Sequence, residues 1–380
     1  MRFDLNETQK LLAKSARDFL TNECPMAEVR RMMETTTAYD AGLWKKMAAQ
    51  GWTGIIFPEQ HDGMGLGIVE LAAIFEQMGR SLLPGPFHST VALAGALLDA
   101  ACDEGQKARY LEPICAGDVR ATAALIEEGA DWEPSSFRME ALRSNGGWKL
   151  RGRKMFVTDA EAATLLVTAA RGEGKLALFA VPRTAAGVQV VPLKGMDATR
   201  PLYEVSFEDS QAELLAAGSA AEKAYSRGLD VAIVALAAEM VGGMQRVLDI
   251  TVAYAKTRKQ FDKPIGQFQA VQHMCADMYL WTESSRSAVY YAAYALDRKL
   301  PEAASAVSVA KVYAGEAYRE AGNRGIQIHG GMGFTWENDV HLYYRRAKLS
   351  ENAYGTAAHH RERIARLVVD AAAIQATTGT

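Results

Sequence analysis

The chain has 380 residues, a formal net charge of −3, 49 % apolar and 23 % charged residues. These values are ordinary for a soluble globular protein, and the length provides core for two or three structural units without disulfides or metals. The charge balance, with no long basic run, gives no basis for nucleic-acid binding. The opening MRFDLNETQKLL has no apolar core or cleavage pattern of a secretion signal. The longest apolar run, 231–244, is interrupted by Glu239; it is too short for a membrane span and predicts a buried helix. Cys24, Cys102, Cys115 and Cys275 form no CxxC pair, which fits separate reduced thiols and a cytoplasmic location.

Three regions differ in texture. Residues 1–118 predict a helical domain: Asn6 is an N-cap for a helix over 7–20, where Leu11, Leu12, Ser15, Ala16 and Phe19 fall at helical spacing. Further helices are predicted over 41–50, 69–79 and 89–100, with FPEQHDGMGLG as a glycine-rich turn. Residues 119–213 predict a small β-domain, with strands near 121–126, 148–158, 165–168, 176–181, 188–192 and 203–207. Ser144-Asn145-Gly146-Gly147 is a hairpin signal. Residues 214–380 return to long helices: 220–256 with a small gap at Gly242-Gly243, then 268–296, 302–321, 339–346 and 355–373. Long helices joined by short turns indicate a bundle. The final QATTGT reads as a frayed tail.

The stretches TRKQFDKPIGQFQAVQHMCADM (257–278), QIHGGMGFTWENDVHLYYRRAK (327–348) and PEQHDGMGLG (58–67), together with the order of the three regions, closely resemble the acyl-CoA dehydrogenase family. The resemblance implies an α+β, mainly α fold: an N-terminal helical domain, a middle antiparallel β-barrel or sandwich, and a C-terminal four-helix bundle. It implies FAD as cofactor and an acyl-CoA thioester as substrate. A carboxylate would remove the α-proton within hydrogen-bond reach while the flavin accepts the β-hydride.

Residue by residue, the resemblance implies that Arg258 and Phe261 of the RKxF segment reach the FAD of a neighbouring subunit; a guanidinium fork suits a pyrophosphate. Gln267 of PIGQFQ matches another residue approaching that cofactor. Gln327, Gly330 and Gly331 match a QxxGG contact to its adenosine side, where glycine permits close backbone approach. Taken as residues alone, Arg258 also reads as a solvated helix end, and the glycines as a helix cap and turn. In KMFVTD, Phe156 would cover the flavin ring and Thr158 would bond its pyrimidine edge, or both belong to ordinary sheet. Thr356 matches a late flavin contact. One segment departs from the family pattern TEPxAGSD: here it reads Ile126-Glu127-Glu128-Gly129-Ala130-Asp131-Trp132, losing the flavin-bonding threonine and a serine.

The catalytic carboxylate is also missing. The resemblance puts the usual base at Tyr354 and its alternative at Ala232. A tyrosine, with a reference pKa of about 10, is a poor base near neutrality. Among nearby carboxylates, Glu239 reads as a packed bundle residue, and Asp230 and Glu351 as solvated surface. His359 and His360 read as a polar helix face rather than a metal site, since adjacent helical residues diverge by about 100°. The tail YGTAAHHRERIA and the segment LLPGPF (82–87) resemble the base-lacking subunit of bacterial α2β2 acyl-CoA dehydrogenases, which often handle ring-bearing, steroid-like acyl groups. The leading expectation is therefore a heterotetramer subunit whose partner carries the glutamate. The alternatives are a self-sufficient homotetramer or homodimer with altered chemistry (elimination or oxygenation) and a non-catalytic structural subunit.

Overall fold

The computed structural model describes residues 5–144 and 147–370. Along the chain come helices α1 (Glu7–Glu23), α2 (Met26–Met33), α3 (Ala41–Ala49) and α4 (Ile68–Arg80), a π-helical stretch (His88–Gly95), α5 (Ala96–Ala101) and α6 (Glu104–Cys115). Strands follow: β1 (Ala121–Ala124), β2 (Glu140–Ser144), β3 (Gly147–Thr158), β4 (Leu165–Gly172), β5 (Lys175–Pro182), β6 (Val188–Leu193) and β7 (Leu202–Ala217). The 39-residue α7 (Ser219–Thr257) leads to a short hairpin of β8 (Lys259–Gln260) and β9 (Lys263–Pro264). Then come α8 (Gln269–Asp297), α9 (Ala303–His329), α10 (Val340–Asn352) and α11 (Ala357–Ala365). The expected order of helices, sheet and helices is present.

Local chemistry explains the boundaries. Asn6 caps α1 with a capping box: its Oδ1 accepts from the Gln9 amide at 2.9 Å, and Gln9 Oε1 accepts from the Asn6 amide at 2.9 Å. Asp103 and Gln106 repeat the device at α6, a helix absent from the expectations despite its D-x-x-Q signal. The short α2 and β2 are likewise additions to the expected elements. The 302–321 helix runs on to His329, and the 89–100 helix opens as a π-turn run. Asn145 and Gly146 of the hairpin signal lie outside the described residues, but Ser144 and Gly147 pair across its ends. The tail 375–380 and the end of the 355–373 helix also lie outside them.

The chain folds as two compact units. The unit of residues 29–67 and 84–232 holds the sheet. Strands β4, β2, β3, β7 and β5 pair in succession and β5 returns to β4, closing a ring; β6 adds to β7. Pairing is antiparallel except where β4 meets β1 and β2. Trp148, Leu150, Phe179, Tyr203, Val205 and Phe207 fill the interior.

The unit of residues 1–28, 68–83 and 233–380 is helical. The amides of Ile68 and Val69 at the start of α4 donate to the Asp297 carboxylate at 2.7 and 3.1 Å, satisfying orphan donors at a helix N-terminus. The Gly242-Gly243 pair does not interrupt α7. A Cβ on Gly242 would lie 1.7 Å from the Glu76 carbonyl oxygen, and one on Gly79 1.9 Å from the Glu239 carbonyl oxygen. The two backbones therefore touch directly, and glycine is what lets α4 and α7 cross. By length and composition α7 could cross a membrane, yet its most apolar stretch is 89 % buried within the protein.

Candidate active site

In the β-containing unit, β3 pairs with β7, but its register breaks between Lys154 and Val157. At this bulge Phe156 takes φ +55° and turns out of the sheet, 60 % exposed. A β-bulge that re-aims a side chain fits a platform for a flat ligand. Thr158, partly buried, accepts at its carbonyl from Thr122 Oγ1 at 2.7 Å. The departing segment packs against the same strand. Ile126 is buried, and its carbonyl accepts from the Met155 amide at 2.8 Å. Glu127 accepts from Lys154 Nζ at 2.7 Å and from the Arg138 and Met139 amides at 2.8 and 3.0 Å. Burial pulls the Lys154 ammonium down to about 8 against the attraction of Glu127. At 126 this edge of the site offers an apolar side chain, unable to bond a ligand.

In the helical unit, β8 and β9 flank a two-residue turn in which Phe261 (φ +52°) and Asp262 (φ +64°) are both left-handed, the pattern of a type I′ hairpin. Phe261 is 85 % exposed, with an edge contact to Phe268 at 6.1 Å. Arg258 stands at the hairpin's base, exposed, its amide donating to the Tyr254 carbonyl at 2.8 Å. Tyr254 stacks on His329, ring centroids 4.3 Å apart, so the end of α7 meets the end of α9. Gln327, Gly330 and Gly331 follow there, all exposed. Gly330 sits at φ +60°, and a Cβ on either glycine would meet nothing within 4 Å. The structure thus brings Arg258 and the QxxGG turn to one end of the bundle, leaving open backbone there for a ligand. Gln267, at the end of a short 3₁₀ turn (Ile265–Gln267), is exposed as well. Exposed guanidinium, exposed aromatic and open glycine backbone together fit a dinucleotide.

The base position lies elsewhere in the helical unit. Tyr354, in the turn between α10 and α11, has φ +58° and is buried. Its carbonyl accepts from His360 Nε2 at 3.0 Å. Thr356, matched to a flavin contact, spends its hydroxyl on the N-cap of α11, accepting from the His359 amide at 3.3 Å. Three expectations are corrected here. His360 belongs to no polar helix face: it is buried, and desolvation with the nearby Lys311 and His359 lowers it to about 3, so it is neutral. Glu351 is not solvated; it is largely covered and paired with Arg319. Asp230 is buried near the start of α7, not on the surface. Glu239 is a bundle residue as expected, in a buried pair with Arg346. Ala232 is fully buried, its carbonyl accepting from His88 Nε2 at 3.0 Å.

Sequence reasoning missed Lys311. It is 1 % exposed on α9, and Nζ donates to the carbonyls of Glu351 and Gly355 at 2.8 and 3.0 Å. Its signal was a single lysine among small residues in SAVSVAKVYAG.

Family models for the acyl-CoA dehydrogenase N-terminal, middle and C-terminal domains match residues 6–118, 122–210 and 223–369. The chain belongs to the acyl-CoA dehydrogenase family. Members are FAD-dependent oxidoreductases acting on CH–CH bonds, and this chain is one of them. It is 32 % identical to the probable acyl-CoA dehydrogenase YngJ of Bacillus subtilis, over 96 % of this chain and 99 % of that one. Among solved structures it resembles the Tcur3481-Tcur3483 steroid ACAD (TM-score 0.87, 29 % identity, 97 % of this chain and 99 % of that one). It also resembles PigA with FAD and proline (TM-score 0.89, 26 % identity, 96 % and 98 %).

Proposed function

We propose that this acyl-CoA dehydrogenase family member is the base-lacking subunit of a heteromeric enzyme that dehydrogenates an acyl-CoA between its α and β carbons. The observation that carries the reading is the state of its carboxylates. Tyr354 and Ala232 hold the two base positions, while Glu239 and Glu351 are already bound to arginines. A positioned base contributes roughly 100- to 10,000-fold to rate, so a partner must bring it. Bound FAD supplies the hydride acceptor. This chain's share is binding: Arg258 toward the pyrophosphate, Phe261 and Gln267 toward the same ligand from the hairpin side, Gln327, Gly330 and Gly331 along the adenosine. Phe156 and Thr158 face a second flavin half-site that Ile126 weakens; Thr356 is the late flavin contact that the family resemblance implies in the helical unit. The likeness to a two-name steroid enzyme supports a ring-bearing acyl group and a lipid- or steroid-degrading role.

The test is co-expression with the product of the adjacent gene. FAD content and acyl-CoA oxidation are expected in the co-purified complex and not in this chain alone; full activity from the isolated chain would reject the proposal. One observation favours a second reading. The Tyr354 turn is fully built, so a self-sufficient enzyme of altered chemistry would use Tyr354 as a hydrogen-bond donor. A homotetramer carrying FAD, whose turnover collapses in Tyr354→Phe, would select that reading. A purely structural subunit, suggested by Ile126, would purify without flavin in every state.

A further inference from the structure

Two buried side chains outside the Tyr354 turn hold two of its backbone oxygens and one at the end of α10. Lys311 Nζ donates to Glu351 O at 2.8 Å and Gly355 O at 3.0 Å. His360 Nε2 donates to Tyr354 O at 3.0 Å, and His360 Nδ1 lies 3.3 Å from Ser308 Oγ. Ser308 and Lys311 are one turn apart on α9, on the face that meets the turn. Because Nε2 donates, Nδ1 must accept, so the Ser308 hydroxyl donates to it and fixes the tautomer. Ser308 Oγ can in turn accept from Arg363 at 3.4 Å.

The arrangement is costly. A lysine fully removed from water here meets two neutral carbonyls and, among the described residues, no carboxylate oxygen at hydrogen-bond distance; burying an ammonium on such terms is unfavourable. Tyr354 is left-handed at φ +58°, where a side chain with a Cβ is strained. A Cβ on Gly355, at φ +109°, would lie 2.6 Å from His359 Cδ2 and 3.0 Å from His360 Nε2, so the turn admits no bulk beside it. Strain held in place by surrounding structure marks a backbone aimed for a purpose. Helix capping alone does not require it, since Thr356 already caps α11.

We infer that Ser308, Lys311 and His360 form a mount on α9 and α11 that aims the side chain of residue 354, making them positioning residues for chemistry at that position. The inference rests on the hydrogen-bond-donor role that the second reading gives Tyr354, and its test separates the two. The chain is labelled with 3-fluorotyrosine and the Tyr354 ¹⁹F resonance is assigned by its loss in Tyr354→Phe. One sharp line is expected in the wild type and in His360→Gln, whose amide N–H can replace Nε2. A shifted or broadened line is expected in Lys311→Met, His360→Leu and Ser308→Ala, the last a mild change that spares folding. Where Tyr354 acts as that donor, the same variants in the FAD-loaded enzyme should lower kcat/KM about tenfold or more at unchanged FAD content, with rescue in His360→Gln. An unmoved Tyr354 resonance in Ser308→Ala and His360→Leu would overturn the mount. A moved resonance with unaltered kinetics would leave the mount standing and refute the role given to position 354.

Discussion

Replacing Phe261 with asparagine separates what this residue does for the chain from what it does for a ligand. In the chain alone Phe261 is 85 % exposed, left-handed at φ +52°, and touches Phe268 only edge-on at 6.1 Å. The left-handed backbone costs a residue with a Cβ roughly 1–2 kcal/mol, a cost that asparagine largely escapes, and Asn-Asp suits a type I′ turn. Losing the small buried fraction of the ring costs about 0.5 kcal/mol. The isolated Phe261→Asn chain should therefore be as stable as the wild type or more stable by about 1 kcal/mol, read by urea unfolding. In the complex, if the ring packs on a neighbour's FAD, the loss is most of a full side-chain burial, about 1.3–2.5 kcal/mol. That weakens FAD retention on the order of ten- to seventyfold, read by flavin fluorescence on dilution. An isolated chain destabilised by more than about 1 kcal/mol, with FAD retention unchanged, would show that Phe261 serves the fold and not the cofactor.

Gly242→Ala should lower the unfolding midpoint. Its Cβ would start 1.7 Å from the Glu76 carbonyl oxygen, and overpacking of this kind costs about 1–3 kcal/mol, against less than about 1 kcal/mol regained in helix propensity; a raised midpoint would mean α4 and α7 do not touch there. His360 should make stability fall in acid. Its folded pKa, lowered to about 3, lies below the ordinary 6.5, so the unfolded chain binds the extra proton and stability is lost as pH falls from about 6.5 toward 3. Comparing urea unfolding of the wild type and His360→Gln at pH 7 and pH 5 should show the difference moving toward the variant, on the order of 2 kcal/mol; a pH-independent difference would place His360 in water.

Much of the fold was legible because its signals are local. Asn6 before the helically spaced apolar residues announced α1, and short Val-, Leu-, Phe- and Thr-rich runs divided by Gly, Pro and Asn announced β3, β5 and β6. What escaped depends on partners distant in sequence. Gly242-Gly243 looks like a gap until α4 is laid against it, and the parallel pairings of β4 involve strands whose partners no turn signal names. Asp230 and Glu351 looked solvated because charge alone predicts exposure, whereas burial was decided by packing and by Arg319. At the site, position-specific motifs located the hairpin and the glycine turn. The residues that aim Tyr354 were invisible, since a lysine and a histidine bonding backbone carbonyls leave no spacing pattern.

The claim that this chain cannot take the α-proton is tested most directly by isotope exchange. A saturated acyl-CoA is incubated in D₂O with the purified, FAD-supplemented chain, then with the chain joined to its partner, and deuterium at the α-carbon is followed by NMR. Exchange is expected only when the partner is present. Exchange at the complex's rate by this chain alone would show that one of its own groups is the base.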